Sequence, residues 1–286
     1  MTPYSRSFDE EFPDLRLSGE TELRRGQLVM LRLMKIFASV CDELGLCYWM
    51  DSGTLLGAVR HGGFIPWDDD VDVAMPREHY EEFLLRSPEL LPYDVYLDTS
   101  LEYAKLRDRY STRRSLDPGA ADDSLFIDIF PFKRCPAMRR ALARVRMLAP
   151  PYGIPDVPPG APLGYRAYRL AIRLAAIGMR ALGLMFVVRL LCLLGPRRVW
   201  AYDLTATWHH HFKEEWIFPL RKMKFEDAAF FAPGTPGPLL AYQYGDYMRP
   251  PPENARNHHG LGSILVTEPC GAPWSLVWSG RRGQPS

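Results

Sequence analysis

Thirty residues, Tyr48 to Arg77, constrain this chain more than any others: YWMDSGTLLGAVRHGGFIPWDDDVDVAMPR. Their first half, Ser52-Gly53-Thr54-Leu55-Leu56-Gly57, is a small-residue turn entering an apolar run. Gly53 lets backbone approach a ligand closely, and Thr54 offers a hydroxyl and an N–H at a helix start, where the dipole favours phosphate. The second half follows a turn at Gly62 and Gly63 and gathers Asp68, Asp69, Asp70 and Asp72. In Asp70-Val71-Asp72-Val73 acids alternate with β-branched residues, so a strand there presents both carboxylates on one face and both valines on the other. Asp68 shares that parity just before the strand. Like charges on one face repel unless a cation sits among them, and hard oxygen ligands suit Mg²⁺ or Mn²⁺ shared with substrate phosphates.

A chain of 286 residues with 47% hydrophobic and 12% aromatic content has ample material for a packed core. The 35 basic and 34 acidic residues leave a net charge of +1, which argues against wholesale nucleic-acid binding while leaving a local basic face open. Five scattered cysteines (Cys41, Cys47, Cys135, Cys192, Cys270) form no CxxC pair, so reduced thiols are expected rather than a disulfide framework or a zinc site. The N-terminal twenty residues carry acids and prolines and no apolar core segment, so no secretory signal and a cytoplasmic setting are expected.

Along the chain, Leu28, Leu31, Ile36, Val40 and Leu44 recur near helical spacing. They predict a long amphipathic helix over 20–44, with Ser18 as N-cap and Gly45 as its stop. Short strands are expected at Cys47–Asp51, Asp70–Met75, Tyr93–Leu97, Lys105–Tyr110 and Leu125–Phe130. Helices are expected at Thr54–His61 and at Arg77–Arg86, with Pro76 just inside the start of the latter. Asp128 lies between Ile127 and Ile129 in an apolar strand, where an acid needs a cation or hydrogen bonds, or else an edge facing water. Residues 150–164 are rich in proline and glycine and read as a linker. Tyr165 to Leu194 is strongly apolar and helical, with Arg166, Arg169, Arg173 and Arg180 on one narrow stripe and Arg189 interrupting the apolar run. Two readings stand: a membrane-surface helix, or one packed on the catalytic domain. His209, His210 and His211 cannot all face one metal from a helix and are read as surface or capping residues. Gly245 to Tyr247 read as a turn, Pro250 to Pro252 as an extended segment and the chain after Trp278 as a disordered tail.

The block GTLLGAVRHGGFIPWDDDVDVAMPR closely resembles the signature of the LicD family, which includes phosphocholine transferases and fukutin-type ribitol-phosphate transferases. The likeness extends to AKLRDRYST (Ala104–Thr112), to FIDIFP (Phe126–Pro131) and to YGDYMRPP followed by His258 and His259. It covers about residues 25–135 and 215–260. The resemblance implies an α+β fold of the polymerase β nucleotidyltransferase type, a mixed sheet with flanking helices, here with a helical insertion. The expected organisation is an N-terminal extension (1–19), a catalytic core (20–149), a linker and basic, apolar helical insertion (150–212), the rest of the catalytic domain (213–278) and the tail (279–286). Two departures from the family pattern stand out: Ser52-Gly53 where two glycines are common, and Phe132-Lys133 where an acid is common.

Carried over residue by residue, the resemblance implies Asp70 and Asp72 as principal ligands of Mg²⁺ or Mn²⁺, and Asp68 as an additional or water-mediated one. Asp128 becomes the third carboxylate and general-base candidate, and Gly53 and Thr54 holders of phosphate oxygens. Arg60, Lys105 and Arg107 are either phosphate or nucleotide contacts or members of surface ion pairs. The implied reaction moves a phospho-alcohol from a CDP-alcohol, such as CDP-choline or a CDP-polyol, to a hydroxyl of a glycan or glycolipid, releasing CMP. The same acids would serve a nucleotidyltransferase that releases pyrophosphate, and a non-catalytic binding protein of this fold is a third reading. Peripheral membrane contact through 165–194 would suit a lipid-linked acceptor.

Overall fold

The long helix starts at Thr21 rather than Ser18. The computed structural model describes residues 11–115, 124–142, 162–204, 210–253, 256 and 261–266. In it, the Thr21 hydroxyl accepts the Arg24 backbone N–H at 3.1 Å and so caps helix α1 (Glu22–Leu44). Gly45 ends the helix at φ +68°, a left-handed conformation that glycine adopts at least cost. More than one stripe of α1 is buried: Val29, Met30, Leu33, Met34, Ile36, Phe37, Val40 and Cys41 are all enclosed. The helix is therefore a central support and not a half-exposed flank. Phe37 is edge-on to Tyr48 and tilted against Phe83, with 5.0 Å between ring centroids in each pair.

The chain divides into two compact units, Met1–Pro131 with Pro219–Ser286, and Phe132–Phe218. In the first, α1 leads to β1 (Trp49–Met50), α2 (Ser52–Arg60), β2 (Asp72–Pro76), α3 (Arg77–Arg86), β3 (Val95–Asp98), β4 (Ala104–Asp108), β5 (Ser111–Ser115) and the first part of β6 (Phe126–Cys135). The sheet order is β1-β2-β6-β4-β3. Strand β4 is antiparallel to both neighbours, with Lys105 opposite Asp128 on β6 and Asp98 on β3. The mixture of sheet and helices is the α+β class that the alternating strand and helix signals predict. Strand β2 begins at Asp72, two residues later than expected, because Asp70 lies in the connection before it. Pro76 closes β2 and is the N-cap of α3, so it stands just outside that helix.

The remaining elements of this unit are the hairpin β9 (Arg221–Phe225) and β10 (Ala228–Ala232), helix α8 (Pro236–Tyr244) and β11 (Leu261–Val266), which pairs antiparallel with β5. The N-terminal stretch is anchored through Arg16, 1% exposed, whose guanidinium meets Asp14 and Asp108 at 2.7 Å each.

In the second unit, the end of β6 pairs with β7 (Val199–Tyr202), and β7 with β8 (His211–Lys213), all antiparallel. It also carries α4 (Ala137–Ala141), α5 (Leu163–Ala181), α6 (Leu184–Leu191) and α7 (Glu214–Ile217). The single helix expected over 165–194 is two, broken where Gly183 takes φ +68°. Lys133, the departure after FIDIFP, is ion-paired with Asp203. His211 lies on β8, 4% exposed and therefore buried rather than on the surface. Linker residues 150–161, His209, His258, His259, Cys270 and the tail after Trp278 lie outside the described residues.

Candidate active site

The turn into α2 is tighter than its composition suggests. Ser52, where the family pattern favours glycine, has φ +44°, a region L-residues enter only with strain. Next to it, a Cβ on Gly53 would lie 3.0 Å from Asp68 Oδ2 and 4.0 Å from Asp70 Oδ1. Gly53 thus keeps the backbone of α2 open to the acid cluster. The buried Thr54 hydroxyl accepts the Asp72 backbone N–H at 2.8 Å, and the Asp51 N–H donates to the Asp72 carbonyl at 3.0 Å. Thr54 therefore fastens α2 to the first residue of β2, while its own hydroxyl proton can still be donated elsewhere.

The acids converge, though not by strand alternation. One carboxylate oxygen from each of Asp68, Asp69 and Asp70 lies within 4.8 Å of the others. Side-chain parity governs only regular strand, and these three precede β2, so consecutive acids can turn to a common point. Asp69, buried and outside the alternating set, is a member of the trio that parity overlooks. Asp72 is buried behind them. Burial, then Asp70, Asp128, Asp51 and Asp68 in turn, push its carboxyl well above the ordinary range. Across the sheet, the Asp128 N–H donates to the Val71 carbonyl at 2.8 Å, which brings FIDIFP alongside the acid segment. The Asp128 carboxyl is pushed up to about 6, raised by burial and by Asp70 and held back by Lys105 and Arg107.

Lys105 and Arg107 part company. Lys105 Nζ lies 2.7 Å from Asp128 Oδ1 and 3.3 Å from the Phe126 ring centroid, inside the site. Arg107, the next residue on the same face of β4, is buried and paired with Asp98 on β3 at 2.7 Å. Arg60, at the end of α2, donates to the Tyr247 carbonyl at 2.9 Å, and burial lowers its pKa while Asp68 opposes the drop. Two tyrosines that sequence reasoning passed over also border the acids. The Tyr103 hydroxyl is pushed up to about 12 by burial and by Asp128, Asp72 and Asp70. That of Tyr244, the last residue of α8, is raised by burial and by Asp72, Asp51, Asp68 and Asp70. The clue to Tyr103 was its place one residue before AKLRD; Tyr244 opens the YGDYMRPP block, which gave it no role.

The acid segment is braced from outside. Gln27 on α1 donates to the Asp68 carbonyl at 2.9 Å. Glu226, in the β9–β10 turn, accepts the Phe64 N–H at 3.1 Å and binds Arg24 through both oxygens, at 3.1 and 2.6 Å. A Cβ on Gly63 would displace the Glu226 carboxylate, whose Oε1 would lie at 2.4 Å, and one on Gly57 would meet the Gly63 backbone carbonyl at 2.5 Å. The two glycines let α2 and the 62–65 turn close on each other.

An all-carboxylate donor set, buried and mutually repelling, facing one lysine, fits a hard divalent cation: Asp70, Asp72 and Asp128 with Asp68 or Asp69 would hold it. Residues 45–141 match the model of the LicD/FKTN/FKRP nucleotidyltransferase domain. The likeness to a LicD-type nucleotidyltransferase domain thus runs over residues 45–141. The match contains β1, α2, β2, β4 and the FIDIFP part of β6, the elements that assemble the acids. The chain is 48% identical over 62 residues to the lipopolysaccharide cholinephosphotransferase LicD of Haemophilus influenzae, covering 22% of this chain and 23% of that protein. It is 36% identical over 97 residues to an uncharacterized protein of Rickettsia prowazekii, 34% of this chain and 33% of the other. Over 36 residues it is 53% identical to the human ribitol 5-phosphate transferase FKRP, 13% of this chain and 7% of that protein. The chain thus spans a third or less of the length of these relatives.

Proposed function

We propose that this protein is a phosphotransferase that moves a phospho-alcohol from a CDP-alcohol to a hydroxyl of a glycan or glycolipid, with release of CMP. The observation that carries the proposal is the gathering of Asp68, Asp69 and Asp70 within 4.8 Å beside the open backbone of Gly53, with Asp72 and Asp128 near enough for Asp70 to raise both carboxyls, inside the matched residues. The printed names of two relatives, a cholinephosphotransferase acting on lipopolysaccharide and a ribitol 5-phosphate transferase, support the class of group transferred.

In this reading the attacking hydroxyl forms a bond to the phosphorus of the phospho-alcohol, the bond from that phosphorus to the bridging oxygen breaks, and CMP leaves with the electron pair. Mg²⁺ or Mn²⁺, bound by the acids, would neutralise the pyrophosphate and the leaving group. Asp128 receives the hydroxyl proton. A carboxyl raised to about 6 is mostly ionised at neutral pH yet basic enough to take a proton in passing. Lys105 holds that carboxylate in place, and Gly53 gives the phosphates access to the backbone at the start of α2.

Incubation with CDP-choline and CDP-ribitol, Mg²⁺ or Mn²⁺, and glycan acceptors tests the proposal through CMP release that depends on both metal and acceptor. Pyrophosphate release from CTP, with cytidylate left on the acceptor, would instead establish a nucleotidyltransferase using the same acids. Neither product under any pairing would overturn both.

A further inference from the structure

The second unit carries a feature that the transfer chemistry does not use. From Phe132 to Tyr202 the sequence has thirteen Lys and Arg and a single acid, Asp156, which leaves 22 basic against 33 acidic residues in the rest of the chain. A nearly neutral protein is thus strongly polarised along its sequence. The same stretch exposes its hydrophobic side chains. Among the described residues, 14 of the 23 exposed large hydrophobics fall within 163–194. Leu170, Leu174 and Ile177, at helical spacing on α5, are 57%, 60% and 60% exposed, and Phe186 on α6 is 72% exposed. On α5 the arginines Arg166, Arg169, Arg173 and Arg180 occupy a stripe of roughly 60° at about 100° per residue, beside the row of Leu170, Leu174 and Ile177.

An open apolar row beside a cationic stripe on an acid-free pair of helices is the pattern of an element lying in the headgroup region of an anionic bilayer. Among the described residues no helix is long and apolar enough to cross a membrane. We infer that α5 and α6 form an interfacial docking surface for anionic lipid, with the leucines and Phe186 entering the acyl boundary and the arginines meeting lipid phosphates. A soluble acidic protein would satisfy the charge but would have to cover an unusually apolar row; a bilayer satisfies both at once. The inference is independent of the proposed transfer, since its readout is partitioning and not turnover.

The test is co-sedimentation of the full chain with phosphatidylcholine vesicles, with and without about one-third phosphatidylglycerol. Binding is expected to the anionic vesicles alone at about 0.1 M ionic strength, where charges reach about 10 Å, and to fall at about 1 M, where they reach about 3 Å. Replacing the exposed Arg166 of the stripe by Gln should weaken partitioning about five-fold. The double variant Phe186→Ser with Leu190→Ser should weaken it at least about ten-fold by removing inserted apolar area. Both sets are solvent-exposed, so circular dichroism melts should match wild type; if a variant unfolds, the lipid and salt dependence of wild type decides by itself. Absence of binding at low salt overturns the inference, as does equal binding to neutral vesicles. So does binding to RNA but not to vesicles, or a concentration-dependent dimer that the double variant dissolves, which would show a second copy covering the face.

Discussion

Asp72 and Asp128 reveal what their neighbours do to a carboxylate. Because the Asp72 pKa is raised in the folded protein, the native state binds a proton more tightly than the unfolded chain does. Stability is therefore lost as pH rises from the unfolded value near 4 through the raised one. At pH 7 in metal-free buffer, Asp72→Asn should consequently be as stable as wild type or more so, while abolishing turnover. Millimolar Mn²⁺ should raise the melting temperature of wild type, at about 2–4 °C per kcal/mol of binding, and not that of the variant. A wild-type melting curve that ignores Mn²⁺ and Mg²⁺, or a fully active variant, would remove the metal assignment. For Asp128→Asn the expected loss lies in kcat far more than in KM for the CDP-alcohol, because a proton acceptor acts in the transition state. Unchanged steady-state kinetics would return Asp128 to a structural role. At Ser52 the positive φ makes a different prediction: Ser52→Gly should stabilise by about 0.5–1 kcal/mol, read from urea unfolding, as strain at a left-handed residue is relieved. A destabilised variant would mean that the serine side chain contributes more than the strain removes.

Among the elements, the β9–β10 hairpin has an unusual relation to the site. Its connection is two residues long, with Phe225 opposite Ala228, and its first turn residue, Glu226, has φ +57°, where glycine is the usual choice. The glutamate is explained by its contacts: it ties Arg24 of α1 to the Phe64 N–H in the turn that delivers the acids. Burial raises its pKa, but the Arg24 fork and the Phe64 N–H outweigh that and hold it below the usual range. A depressed carboxyl contributes stability above its unfolded pKa, and that contribution is lost as pH falls through the folded value. Glu226→Gln should therefore cost about 1 kcal/mol at pH 7, a charge-assisted hydrogen bond's worth, and the gap to wild type should close on acidification below about pH 4. A gap that persists in acid would show that shape, not charge, fixes the turn. This element was invisible in local sequence, because Arg24, Phe64 and Glu226 are brought together only by the fold.

For the molecule as a whole, Cys41 and Cys47 carry thiols, which burial raises above their ordinary pKa. Stability should thus come from the core around α1 and not from cross-links, and the thermal melt should be the same with and without reductant. A reductant-sensitive melt would point to a disulfide formed by residues beyond the described ones.

Short-range order was legible in the sequence. The Ser52-Gly53-Thr54 turn and the lone acid of FIDIFP stand out locally, because residue type and spacing of a few positions fix which groups can share a face or a helix start. The same signals placed α1 and α3 closely, since long periodic segments and flanking residues are local properties, while β6 runs five residues past its expected end. Only the tertiary structure decided which acids form the tight trio, because Asp68, Asp69 and Asp70 lie in irregular backbone where no periodicity applies. It likewise separated Lys105 from Arg107: both lie on β4 between β6 and β3, yet the fold pairs Lys105 with Asp128 and Arg107 with Asp98. Glu226 reaches the turn that delivers the acids from more than 150 residues downstream of α2, a proximity created by chain packing and encoded in no window of sequence.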